Sequence, residues 1–127
     1  METRITQSRV DRCLDTIEAI CESKRLVWCL IGFTQLSAAV KGDSYRRHGF
    51  DHLVVLADKM DRAAALNLER RIQEAIFGDL TGLLFDKYHP KKRKKGIHLP
   101  SWGGSPRDAS IPGCSVYMVW WERQISN

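Results

Sequence analysis

Apolar residues recur at three- and four-residue steps through Val10, Cys13, Leu14, Ile17, Ile20 and Cys21, while Asp11, Arg12, Asp15, Glu18 and Glu22 fill the opposite side. That period predicts an amphipathic helix over residues 8–23, with Ser8 as N-cap and Asp11 in the first turn. The pattern then changes. Residues 26–33 are short, apolar and rich in strand formers, and Gly32 and Thr34 close the run, so a buried strand is expected. Residues 35–41 predict a short helix with Leu36, Ala39 and Val40 inward, interrupted by Gly42-Asp43. His52-Leu53-Val54-Val55-Leu56-Ala57 is a continuous apolar run of strand length, which predicts a strand covered on both faces. Asp61 stands as N-cap before the strongest helical pattern of the chain, which runs through Ala63-Ala64-Ala65, Leu68, Ile72, Ala75 and Ile76 to Phe77 and stops at Gly78.

Beyond Gly78 the pattern weakens. Leu83-Leu84-Phe85 predicts one turn of helix, and Pro100, Gly103-Gly104, Pro106, Pro112 and Gly113 mark a long loop over residues 78–113. Long loops within small domains are commonly functional or disordered. Val116-Tyr117-Met118-Val119-Trp120-Trp121 then predicts a closing strand that returns to the sheet, because two exposed tryptophans on a tail would leave much apolar area in water. The elements describe one α/β domain over residues 1–127, and its core unit is strand, helix, strand, helix from Trp28 to Phe77.

Composition supports a globular chain, with 43% hydrophobic and 28% charged residues in a length of 127. No apolar run approaches the ~20 residues that span a bilayer. The N-terminal residues Met1-Glu2-Thr3-Arg4 do not open a secretory signal, so an intracellular, cytoplasmic protein is expected. Cys13, Cys21, Cys29 and Cys114 include no C-x-x-C pair and are read as core thiols, with a Cys/His zinc site as the less favoured alternative. The formal charge of +5 is local in origin. Removing Lys91, Lys92, Arg93, Lys94 and Lys95 from the 20 basic residues leaves 15, equal to the 15 acidic ones. This loop is therefore the expected polyanion contact.

Three positions carry candidate chemistry. Glu69 lies beside the Ala65, Leu68, Ile72 stripe and is expected at the margin of the core. A carboxylate there can ligate a hard cation such as Mg²⁺ or Mn²⁺; the alternative is a boundary Glu paired to Arg62 or another cation. Tyr45, Arg46, Arg47 and His48 form a second cluster directly before a strand. Arg suits phosphate through its planar, permanently charged fork, and His48 can shuttle a proton near neutral pH; the alternative is a solvated turn. The basic run 91–95 draws phosphates without reading bases, and it also resembles a nuclear localisation signal, which matters in a host with a nucleus.

Taken in order, Leu30-Ile31-Gly32-Phe33-Thr34, Arg46-Arg47-His48-Gly49, residues 50–56 and Ala65-Leu66-Asn67-Leu68-Glu69 resemble the GIY-YIG nuclease superfamily. Leu30-Ile31-Gly32 stands at the YIG position and Glu69 at that of the metal-binding Glu. Trp102-Gly103-Gly104 and Ser115-Val116-Tyr117-Met118-Val119 are similar to the glycine-rich loop and closing strand of some members. The resemblance implies a small, mainly antiparallel central sheet flanked by helices. It also implies a divalent cation at Glu69, charge stabilisation by Arg46 or Arg47, and a water oriented by His48, Tyr45 or Tyr117. Three departures stand out. No GIY tripeptide precedes Leu30, so its strand must be replaced, with residues 116–121 as candidate; Leu30 lacks the tyrosine hydroxyl; and the spacing from Gly32 to Arg46 implies an insertion around residues 41–44.

Two classes of function follow from these residues. One is a divalent-metal-dependent endonuclease, a hydrolase of DNA phosphodiester bonds. The other is a catalytically inactive nucleic-acid-binding or adaptor domain on the same scaffold. A protein partner met by Trp102, Trp120 and Trp121 is a third, weaker reading, which an exposed patch of those aromatics would support.

Overall fold

Among the described residues, helices and strands occur in the order α1 (Gln7–Cys21), β1 (Leu26–Thr34), β2 (His52–Met60), α2 (Arg62–Phe77), α3 (Leu83–Lys87) and β3 (Cys114–Glu122). They come from a computed structural model that describes residues 5–34, 49–90 and 113–123. The helix expected over residues 35–41, the Tyr45 to His48 cluster, the basic run 91–95 and Trp102 lie outside the described residues.

The helix starts follow from side-chain capping. Thr6, not Ser8, caps α1: its hydroxyl accepts the Arg9 backbone N–H at 3.2 Å. Asp11 accordingly falls beyond the first turn, where it accepts a hydrogen bond from the Gln7 amide at 2.9 Å. Asp61 caps α2 as expected, accepting from the Ala64 N–H at 2.7 Å. Asp61→Ala is expected to lower stability by about 1 kcal/mol through loss of that cap; a shift in the urea unfolding midpoint at constant slope checks it. The α2 stripe Ala65, Leu68, Ile72 and Ile76 is buried, as its period required.

The sheet is three-stranded and antiparallel, in the order β1-β3-β2. Together with the helices this makes an α+β fold. The last strand in sequence is therefore the central one. Its side chains explain the placement: Cys114, Val116, Tyr117, Met118 and Val119 are all buried, and only a strand flanked on both edges pairs every backbone group of so apolar a segment. Gly113, just before β3, has φ of 95°, a left-handed conformation that L side chains rarely adopt.

Register assigns the faces, because directly opposed residues share a side of the sheet. Leu30, Gly32, Val119, Tyr117, Leu53 and Val55 lie on one face, and Ile31, Met118 and Val54 on the other. Cys29 shares the second face, and its Sγ lies 3.8 Å from that of Cys21 at the end of α1, which places α1 there. All four cysteines are buried and outside any disulfide, as core thiols.

The strand β2 departs from the expectation of two covered faces. His52, Val55, Asp58 and Lys59 are exposed and only Met60 is buried. The reason is its edge position, since among the described residues only β3 pairs with it. Its inner end is irregular: the register slips between Ala57 and Met60, and Lys59 takes a left-handed φ of 54° within that bulge.

Candidate functional site

Glu69 is 4% exposed, so it belongs to the core and not to its margin. The stripe of α2 is wider than the sequence pattern suggested, because Gln73, one turn after Glu69, is buried as well. The Nε of Arg62, one of the cations considered as a partner of Glu69, is buried without a hydrogen bond.

What lies next to Glu69 is a polar network on the outer edge of β1. The Gln73 side-chain amide donates to the Ile31 carbonyl at 2.8 Å and to the Tyr88 hydroxyl at 3.1 Å. The Ile31 N–H donates to the same hydroxyl at 3.2 Å, and that hydroxyl lies 3.3 Å from the Ile31 carbonyl. The neighbouring edge groups are met from the same segment: the His89 N–H reaches the Cys29 carbonyl at 2.8 Å and Lys87 Nζ reaches the Leu26 carbonyl at 2.9 Å. The α3 segment thus closes β1 against further pairing.

Burial pushes the Tyr88 hydroxyl well above the ordinary tyrosine range. The hydrogen bond to Ile31 works against this, and the Cys29 thiol and the Glu69 carboxylate add to it. Glu69 is thereby close enough to act electrostatically on the network. Tyr88 and Gln73 were not singled out in the sequence. A polar residue one turn after Glu69 inside an apolar stripe was the only available signal for Gln73; Tyr88 follows a five-residue helix and gave none.

The donor chemistry of Glu69 fits a hard divalent cation, which takes oxygen ligands and commonly needs only one or two carboxylates together with substrate phosphate. The Gln73 Oε1, fully buried and without a hydrogen-bond partner, is a further oxygen on the same helix. Among the described residues, no three or more His, Cys, Asp or Glu side chains form a group able to hold a metal ion.

Tyr117 lies at the middle of the sheet, opposite Gly32 on β1 and Val55 on β2, and is 1% exposed. Leu30 is on the same face and fully buried. Of the site residues expected from sequence, Glu69 and Tyr117 are thus described and buried. Tyr45, Arg46, Arg47, His48 and Lys91, Lys92, Arg93, Lys94 and Lys95 lie outside the described residues.

Trp120 and Trp121 are partly buried against the core. The Trp120 ring lies 5.1 Å from that of His52, which also pairs with Glu122 at 3.2 Å, and the Trp121 ring lies 5.0 Å from that of His89. Gly49, with φ of 83°, brings the chain against Trp121, where an added Cβ would meet its Nε1 at 3.7 Å. No helix among the described residues is long and apolar enough to cross a membrane.

Comparison with protein-family models, with curated proteins and with solved structures finds no match to this chain.

Proposed function

We propose that this chain is a GIY-YIG-like nuclease that hydrolyses DNA phosphodiester bonds with a divalent cation, Mg²⁺ or Mn²⁺, held at Glu69. One observation carries the reading: β3, bearing Tyr117, pairs along the whole of the Leu30-Ile31-Gly32 strand, as a replacement for the absent tripeptide strand requires. The helix bearing Glu69 packs on that same pair of strands. When bound, the cation would neutralise charge on the phosphate. Arg46 or Arg47 would stabilise the charge that develops on the phosphoryl oxygens, and His48, Tyr45 or Tyr117 would orient the water that attacks phosphorus as the P–O bond to the leaving alkoxide breaks. Lys91 to Lys95 would grip the neighbouring backbone.

A specific observation also favours the second reading, an inactive nucleic-acid-binding or adaptor domain. Leu30 carries no hydroxyl and is fully buried, and Tyr117 and Glu69 are buried with it. Incubation of the purified chain with supercoiled and branched DNA, with Mg²⁺ and with chelator, decides between them. Metal-dependent cleavage is expected; salt-sensitive binding without cutting in either condition would leave only the binding domain.

A further inference from the structure

Where α1 passes β2, a cavity of about 290 Å³ is lined by Arg9, Arg12, Cys13, Thr16, Val55 and Leu56. The charged residues described in its lining are of one sign. Arg9 and Arg12 stand three residues apart on one face of α1, and neither forms a salt bridge to a described residue. No carboxylate is among the described lining residues. Both guanidinium groups lie near enough to the buried Cys13 thiol to pull its pKa down against the dominant effect of burial, which raises it. The floor is apolar and open: Val55 is 38% exposed although it sits in a strand.

Two neighbouring guanidinium groups over an uncharged floor are suited to a phosphate, because each offers several fixed N–H donors that stay charged at any physiological pH. The position of the cavity bears on which phosphate. Val55 is the direct cross-strand partner of Tyr117 and shares its face of the sheet. The cavity is therefore about one strand spacing, roughly 5 Å, from the central strand. Because α1 packs on the other face, the cavity lies at the β2 edge, where a chain of phosphates leaving the Tyr117 face would pass from β2 to α1.

We propose that the cavity between α1 and β2 is a subsite for a backbone phosphate of a nucleic acid, gripped by Arg9 and Arg12. The inference rests on the nucleic-acid reading above, and it adds a contact at the opposite edge of the sheet from the one that the α3 segment closes.

The test is the salt dependence of binding of a fluorescent 20-base-pair DNA duplex, used as probe with the whole chain, for the wild type and for the pair Arg9→Gln with Arg12→Gln. Arg12 is exposed and Arg9 half-buried, so folding is checked by thermal unfolding, and Arg9→Lys with Arg12→Lys serves as the charge-retaining version. A control pair, Lys24→Gln with Arg70→Gln, removes two exposed charges elsewhere. Loss of one phosphate contact is expected to flatten the slope of log K against log salt by about 0.9 and weaken binding on the order of tenfold at low salt, with partial recovery in the Lys version. The control pair is expected to change the slope by less than half as much.

Wild-type binding with an unchanged slope in the Arg9, Arg12 pair would overturn the subsite and leave the nucleic-acid reading intact. Absence of wild-type DNA binding at low salt would overturn both. In that case, amide shifts at Cys13 and Val55 on titration with inorganic phosphate would assign the cavity to a free phosphate instead.

Discussion

Glu69→Gln is expected to reduce the Mg²⁺-dependent cleavage rate by about 100-fold or more, the scale on which loss of a charge-stabilising group acts in such reactions. The substitution keeps the shape of the side chain and removes its negative charge, so a hard cation loses its anionic ligand. Stability is the discriminating readout. Glu69 is 4% exposed, and replacing a buried carboxylate by a neutral amide of equal size relieves desolvation at the same time as it alters the partners of that carboxylate. A purely structural Glu would therefore register in the unfolding midpoint, whereas a metal-binding Glu registers in single-turnover cleavage with DNA affinity held within about threefold. Cleavage at the wild-type rate in this variant would remove Glu69 from the proposed chemistry.

Tyr88→Phe is expected to destabilise the fold by about 2–3 kcal/mol, more than an ordinary hydrogen-bond deletion. The ring would still fill its space against Phe77, whose centroid lies 5.1 Å away in an edge-on arrangement. The loss falls on the partners: the Ile31 N–H would have no acceptor, and the Gln73 amide would keep only the Ile31 carbonyl. The pH dependence has a definite sign. Burial raises the folded-state pKa of Tyr88 above its ordinary value of 10.0, so its contribution is complete below about pH 10 and declines at higher pH, where the unfolded chain gives up a proton that the folded chain retains. Above pH 10 the wild type is expected to lose up to about 1.4 kcal/mol per pH unit relative to Tyr88→Phe. Urea midpoints of both proteins at pH 8 and pH 11 measure this; a difference between them that stays constant with pH would show that Tyr88 ionises as freely in the folded chain as in the unfolded one.

The two predictions draw on different amounts of sequence information. Glu69 was legible because helical period placed it beside an apolar stripe, and a family-like order of motifs surrounded it. Its depth was not legible. Period gives the direction in which a side chain points along its own helix, but the width of the buried strip depends on what packs against it, here β1 and β3. Tyr88 and Gln73 were not legible as a pair, since their meeting at Ile31 requires two segments to reach the same edge of β1 from sequence positions 42 and 57 residues away. The same limit applies to Arg9 and Arg12, which read along the chain as the ordinary polar side of α1.

Local pattern by itself determined the existence and type of β1, α1, α2 and β3, the Asp61 cap, the burial of the cysteines and the return of the final strand to the sheet. Each depends on interactions between residues close in the chain or on the apolar content of one segment. Only the tertiary structure decided that β3 lies between β1 and β2, that β2 is an edge strand among the described residues, and that Glu69 is enclosed beside a network closing the other edge. Strand order and edge protection arise from pairing between distant segments, and the hydrophobic pattern of a strand is the same whether one neighbour or two will bind it.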